Sequence, residues 1–151
     1  MDPIEWAAPL IAALARGRVL DAGCGDGRFL PPRGIGLDRD VERLRSASEI
    51  SPLVVCGDAH ALPFADGTFD TVFANRMLNA AGRVDHALGE LARVLRPDGA
   101  LVVLTRARAR PDEDRLDPAN GADRLARFFA MVTADRAADA ALFVARTKRG
   151  R

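Results

Sequence analysis

What most constrains this chain is an alternation of short, continuous apolar runs with stretches of helical periodicity. The runs lie at 18–22, 34–38, 53–56, 69–74, 100–105 and 141–145, each of strand length. They read as continuously apolar rather than alternating, which predicts strands covered on both faces. Between and around them, helices are expected at 4–14, 41–49, 84–95 and 122–131. The pattern is clearest in 84–95, where Val84, Leu88, Leu91 and Leu95 recur at helical spacing on one face. Asp2-Pro3 opens the first helix, Asp66-Gly67 turns the chain before 69–74, and Pro97-Asp98-Gly99 ends the helix before 100–105. Alternation of this kind folds as an α/β doubly wound, mostly parallel sheet with helices on both faces. No repeat, low-complexity tract or linker interrupts residues 1–151, so a single domain is expected.

In such a sheet, ligands bind at the carboxyl ends of the strands, beside the point where strand order reverses. Residues just past the strand ends are therefore the candidate site. The first run passes into Asp21-Ala22-Gly23-Cys24-Gly25-Asp26-Gly27, where glycines let the backbone turn sharply and approach a ligand. The second ends on Asp38, a carboxylate able to accept both hydroxyls of a ribose. After the third comes Asp58, placed for an exocyclic amine such as that of adenine. Singly, a glycine turn or a strand-end acid is commonly just a turn or a helix cap. In order, at successive strand ends, the three describe a nucleoside-containing ligand.

Charge then selects among nucleosides. The loop lacks the Gly-Lys-Ser/Thr ending of a phosphate loop. It also lacks the third glycine of a dinucleotide fingerprint, because Gly23 and Gly25 are followed by Phe29-Leu30. Asp21 inside the loop would repel a pyrophosphate but suits the cationic amine of a methionine moiety. Acid-rich strand ends thus favour S-adenosylmethionine over NAD.

Composition sets wider bounds. The chain is 48% hydrophobic and 28% charged, with a formal net charge of +1, so nothing draws it globally to nucleic acid or an anionic membrane. The one obvious basic cluster, Arg146, Lys148, Arg149 and Arg151, reads as a solvated terminus. No apolar run is long enough to span a bilayer, and MDPIEW has no basic segment leading into an apolar one. Neither Cys24 nor Cys56 has metal-ligand spacing around it, so a reduced, cytoplasmic protein without a metal site is expected.

Four segments carry a family resemblance. VLDAGCGDGRFL (19–30), GLDRD (36–40), GDAHALPFADGTFDTVFA (57–74) and LARVLRPDGALVV (91–103) resemble successive motifs of the class I S-adenosylmethionine-dependent methyltransferases. The similarity is greatest to the small-molecule group that includes quinone-biosynthesis methylases. It implies a Rossmann-like seven-stranded sheet with a C-terminal antiparallel hairpin. On that pattern 1–17 is an N-terminal helix, 18–105 the cofactor-binding core, and 106–151 the C-terminal helix and hairpin. The resemblance also implies S-adenosylmethionine as cofactor and S-adenosylhomocysteine as product. Asp21 and the backbone of Gly23, Cys24 and Gly25 would hold the methionine end. Asp38 would take the ribose hydroxyls, with Arg39 flanking the adenine. Asp58 and the backbone of Ala59 would read the adenine edge, and Asn75 would contribute backbone contacts near the methionine amine.

The chain departs from that family in several places. Pro31-Pro32 limits any helix after the glycine loop to little more than one turn. With only 1–17 before the first strand and no large insertion after the fifth, the lid is minimal and the site is expected to be open. A homodimer or partner subunit would complete it. Where relatives often carry histidines or aromatic residues after the fourth strand, this chain has Met77, Leu78, Asn79 and Ala80.

Methyl transfer from a sulfonium needs alignment and exclusion of water, with a general base only when the nucleophile arrives protonated. His60, His86 and Asn79 are the nearest candidates, and no catalytic base is assigned. Asn75-Arg76-Met77-Leu78 lacks the prolines of amino-methylases, and neither a nucleophilic cysteine nor clustered acids follow the fourth strand. The expected activity is methyl transfer to an O, N or C atom of a small-molecule acceptor, with nucleic acid not expected. The alternatives are a non-catalytic cofactor-binding or partner-stabilising domain, and an enzyme that uses the same cofactor for another reaction.

Overall fold

The computed structural model describes residues 3–75, 77–80, 82–107 and 114–147. In chain order the elements are α1 (Pro3–Leu14), β1 (Val19–Ala22), β2 (Ile35–Asp38), α2 (Val41–Ala47), β3 (Val54–Cys56), β4 (Phe69–Phe73) and α3 (Met77–Ala80). Then follow α4 (Val84–Val94), β5 (Leu95–Arg106), α5 (Gly121–Ala126), β6 (Met131–Ala137) and β7 (Ala140–Arg146). The described strands form one seven-stranded sheet in the order β3-β2-β1-β4-β5-β7-β6. Strands β1 to β5 pair in parallel, whereas β7 runs antiparallel to both β5 and β6. This is the expected Rossmann-like sheet with its C-terminal antiparallel hairpin. Strand order reverses between β1 and β4, whose register (Val19 opposite Thr71, Asp21 opposite Phe73) sets their carboxyl ends side by side.

Strand β5 shows why the apolar runs are unbroken. Leu101 and Val103 pack into one core with Leu20, Val72, Leu88 and Leu91. Val102 and Leu104 point the other way, into a second core with Phe73 and with Ala7 and Ile11 of α1. Successive strand residues face opposite sides, so a strand covered on both sides is apolar at every position. Helix α4 buries Val84, Ala87, Leu88, Leu91 and Val94, the face its spacing predicts. It has no side-chain cap; its first N–H donates instead to the Asp114 carbonyl at 3.1 Å.

Several boundaries move, each for a local reason. The helix expected at 122–131 stops at Ala126, because Ala130 N–H pairs with the Arg146 carbonyl and Met131 already belongs to the hairpin. Pro97-Asp98-Gly99 turns the chain inside the irregular start of β5: Phe69 pairs with Leu95 and Thr71 with Ala100, and the residues between bulge out. No helix follows the glycine loop. Residues 23–34 run as successive turns, with Gly27 N–H to the Cys24 carbonyl and Leu30 N–H to the Gly27 carbonyl. The segment read as a charged loop, 110–117, lies partly outside the described residues. Its described end buries Leu116 and Asp117, and Asp117 Oδ1 accepts from Ala119 and Asn120 just ahead of α5. The expected Asp2 cap and the basic tail beyond Thr147 also lie outside the described residues, while Arg146 closes β7.

Candidate active site

The carboxyl ends of β1, β2 and β4 open into a cleft of about 650 Å³, a volume typical of small-ligand sites. Asp21, Gly23, Cys24, Gly25, Asp38, Arg39, Asp58, Ala59 and Asn75 all border it. The topology thus brings every candidate cofactor-binding residue, and His60, to one space, while His86 does not border it.

The glycine loop is held by β2. Gly23 N–H and Cys24 N–H both donate to the Leu37 carbonyl, at 2.7 and 2.9 Å. Gly25 N–H donates to Asp38 Oδ2 at 2.8 Å. An anionic ligand would find these three donors engaged, whereas a cation needs none of them. Gly23 has a φ of 73°, and a Cβ there would lie 2.6 Å from Met77 Cγ, so the position is closed to any side chain. Cys24 packs with Leu30, Leu44 and Ala47, and burial, reinforced by Asp21 and Asp38, pushes its thiol up to about 12. Its sulfur is inert at neutral pH.

Asp21 is 1% exposed and its Oδ2 has no hydrogen-bond partner. Burial, and secondarily the charge of Asp38, pushes its carboxyl up to about 7. Asn75, just past β4, is also buried, with neither its Oδ1 nor its Nδ2 partnered. Buried polar atoms are satisfied in the great majority of cases, so three orphans beside one cleft call for an occupant.

Asp38 accepts from Gly25 N–H on Oδ2 and from Asp40 N–H on Oδ1, at 2.8 and 2.9 Å. Each oxygen keeps further acceptor capacity. Asp58 Oδ1 accepts from the His60 N–H at 2.8 Å and lies 2.7 Å from the ring Nδ1. These contacts hold the Asp58 carboxyl below its usual range. The His60 Nε2 lies 2.8 Å from the Gly82 carbonyl, so both ring nitrogens are engaged and neither is free to act as a base. The His86 ring is 6.0 Å from that of His60. The Asn79 side chain and Arg76 lie outside the described parts of the structure.

Ile4, Phe29 and Met77 also border the cleft, with Arg28, Arg43 and Arg115. Sequence reasoning did not find these. They come from α1, the turns after β1, α2, α3 and the segment before α5, and no local pattern marks them as neighbours.

The profile of a family described as a methyltransferase domain matches residues 20–103. Among curated proteins, the biotin biosynthesis bifunctional protein BioHC of Cellvibrio japonicus is 40% identical over 64% of this chain and 21% of its own length. A malonyl-(acyl-carrier protein) O-methyltransferase of Methylovorus is 32% identical, over 63% of this chain and 38% of its own. The ubiquinone/menaquinone biosynthesis C-methyltransferase UbiE of Roseobacter denitrificans is 38% identical, over 67% and 45%. The chain therefore spans less than half the length of each of these relatives. Of solved structures, a SAM-dependent methyltransferase from Thermotoga maritima superposes with a TM-score of 0.79 at 19% identity, covering 95% of this chain and 89% of that one. The methyltransferase solved with the Trm112 activator of Haloferax volcanii gives 0.81 at 20% identity, covering 98% and 92%. At such identities the likeness is one of fold.

Proposed function

This chain belongs to the methyltransferase-domain family, and we propose that it transfers a methyl group from S-adenosylmethionine to an O, N or C atom of a small-molecule acceptor. The observation that carries this is that Asp21 and Asn75, two residues bordering the cleft, keep buried polar atoms without a partner: Asp21 Oδ2 and both ends of the Asn75 amide. Leaving such groups unpaired costs about 1–3 kcal/mol each. A ligand bearing an ammonium and a carboxylate on one carbon matches them, since Asp21 accepts while Asn75 both donates and accepts. The methionine end of S-adenosylmethionine has that chemistry, and the cofactor supplies a methyl group activated on a sulfonium.

The remaining candidates take the rest of the molecule. Asp38 accepts the ribose hydroxyls through its spare capacity, with Arg39 flanking the adenine. Asp58 and the Ala59 backbone read the adenine edge, and the backbone of Gly23, Cys24 and Gly25 shapes the loop around the methionine end. Asn75 enters this scheme through its side chain as well as its backbone. Ile4, Phe29 and Met77 give the acceptor an apolar surface that excludes water. Residues 1–151 act as one cofactor-binding unit, with 18–105 as its core. Two free cysteines, one exposed at Cys56, support a reducing, cytoplasmic setting. No helix among the described residues is long and apolar enough to cross a membrane.

By name, two relatives methylate oxygen in malonyl-(acyl-carrier protein) and carbon in quinone biosynthesis. That supports a metabolite-type acceptor. One structural neighbour was solved with an activator protein, which supports a partner subunit or second copy completing an open site. The test is release of S-adenosylhomocysteine from labelled cofactor when malonyl thioesters or quinol-type phenols are supplied. Turnover with either class supports the transferase. Tight cofactor binding without turnover across both classes and a cell extract would favour the binding-domain reading instead.

The ribose placement carries its own prediction. Asp38→Ala weakens S-adenosylhomocysteine binding by ~1–3 kcal/mol, the scale of a hydrogen bond to a charged acceptor. Asp38→Asn loses less, because one oxygen remains to hold the Asp40 or Gly25 N–H. Unchanged affinity in Asp38→Ala, measured by titration calorimetry, would remove the ribose from Asp38.

A further inference from the structure

We propose that His60 is a positioning residue that sets selectivity for adenine, by locking the Asp58 carboxylate and tying it to the turn that opens α4. The inference rests on the reading that Asp58 meets the adenine amine. Its basis is how one residue occupies both ends of this arrangement. Asp58 Oδ1 receives the backbone N–H of His60 and faces its ring Nδ1, while no described residue donates to Oδ2. The Asp58 side chain is 40% exposed and the His60 side chain 7%, so a carboxylate that would otherwise rotate in solvent is pinned by a fixed ring. Pinning Oδ1 leaves Oδ2 as the acceptor available to a ligand.

The other ring nitrogen reaches across the cleft wall. Nε2 lies 2.8 Å from the carbonyl of Gly82, which with Arg83 forms a left-handed turn (φ of 58° and 44°) at the start of α4. The segment between β4 and that turn carries Asn75 and Met77, both of which border the cleft. His60 therefore spans from the loop that reads adenine to the segment lining the methionine side. The Asp58 carboxyl and the Gly82 carbonyl lie against opposite nitrogens of the ring, so both ring nitrogens are taken up by protein contacts. No ring nitrogen is left over for proton abstraction. That separates positioning from catalysis.

The test compares two ligands on one protein: S-adenosylhomocysteine and S-inosylhomocysteine, in which a carbonyl oxygen replaces the exocyclic amine. Oδ2 of a locked carboxylate accepts from the amine and repels the oxygen. Wild-type protein is expected to prefer the adenine ligand, and His60→Ala to narrow that preference by ~10-fold. His60→Asn places an amide donor near the Nδ1 position and should keep most of the selectivity. His60→Gln reaches towards Gly82 instead and should resemble His60→Ala. The ratio of two affinities cancels general loss of folded protein, and melting curves record that loss separately. An unchanged ratio in His60→Ala, or equal ratios in the Asn and Gln variants, would overturn the inference. Wild-type protein that binds both ligands equally, or neither, would overturn the adenine placement itself, and the role of His60 with it.

Discussion

At pH 8, Asp21→Asn is expected to raise the melting temperature by roughly 3–8 °C while weakening S-adenosylmethionine binding about 10–100-fold. Both effects come from one buried carboxyl. Its affinity for a proton is raised from the ordinary 3.8 to about 7, first by burial and then by Asp38. The folded protein therefore holds this proton more tightly than the unfolded chain does. The associated stability is complete below pH ~4 and is lost as pH rises through about 7. At ~1.4 kcal/mol per tenfold change in proton affinity, the loss is capped near 4 kcal/mol. An amide of the same shape carries no such liability, so a gain of ~1–3 kcal/mol is expected at pH 8 and none below pH ~4.

Binding runs the opposite way. An ammonium placed at Asp21 favours the carboxylate, so wild-type affinity should rise as pH climbs to about 7 and then level off. Asp21→Asn should bind weakly and without that pH dependence. Thermal melts and calorimetric titrations at pH 5 and pH 8 measure both. An Asp21→Asn protein less stable than wild type at pH 8, or one that keeps the pH dependence of binding, would contradict this assignment.

The second large effect is at Gly23. Gly23→Ala is expected to cost ~2–5 kcal/mol of stability and to abolish measurable cofactor binding. Two separable causes add. A left-handed backbone with a Cβ costs ~1–2 kcal/mol, and Gly23 has a φ of 73°. The new methyl also meets Met77 Cγ and Cβ at 2.6 and 2.7 Å, and overpacking of that kind costs ~1–3 kcal/mol. Met77→Gly in the same chain removes both of these atoms and should recover the second part and not the first. The two substitutions should therefore couple favourably by ~1–3 kcal/mol in a double-mutant cycle read from chemical denaturation. Additive effects would mean that the loop relaxes away from Met77. A Gly23→Ala protein of wild-type stability would show that the turn does not require glycine.

How much of this was legible beforehand follows from which interactions are local. β1, β4 and β5 announce themselves because both sheet faces are covered, so apolar residues predominate on either face. Helix α4 does so because its one buried face recurs at helical spacing. β6 carries no such signal: it is the sheet edge, with only Val132 and Ala137 half-buried, so nothing forces alternation on its sequence. Helix α3 spans four residues, too few to show a period. The strand-end acids Asp21, Asp38 and Asp58 were readable because the doubly wound topology fixes where strand ends lie. Their partnerships were not. The donation of Gly23 and Cys24 to Leu37 and the bridge from Asp58 through His60 to Gly82 join residues distant in sequence, and the isolation of the Asn75 amide depends on the folded surroundings of β4. Turn chemistry was partly legible: Pro97-Asp98-Gly99 marks a turn correctly, but only pairing with β4 shows that the strand has already begun.

The most direct test of the central claim is calorimetric titration of the purified chain with S-adenosylmethionine, S-adenosylhomocysteine and NAD. Micromolar binding of both sulfur nucleosides, with none of NAD, is the predicted result, because the cleft offers the acceptors Asp21, Asp38 and Asp58 to a cation while the Gly23, Cys24 and Gly25 donors are already engaged. Binding of NAD, or of neither sulfur nucleoside, would contradict it.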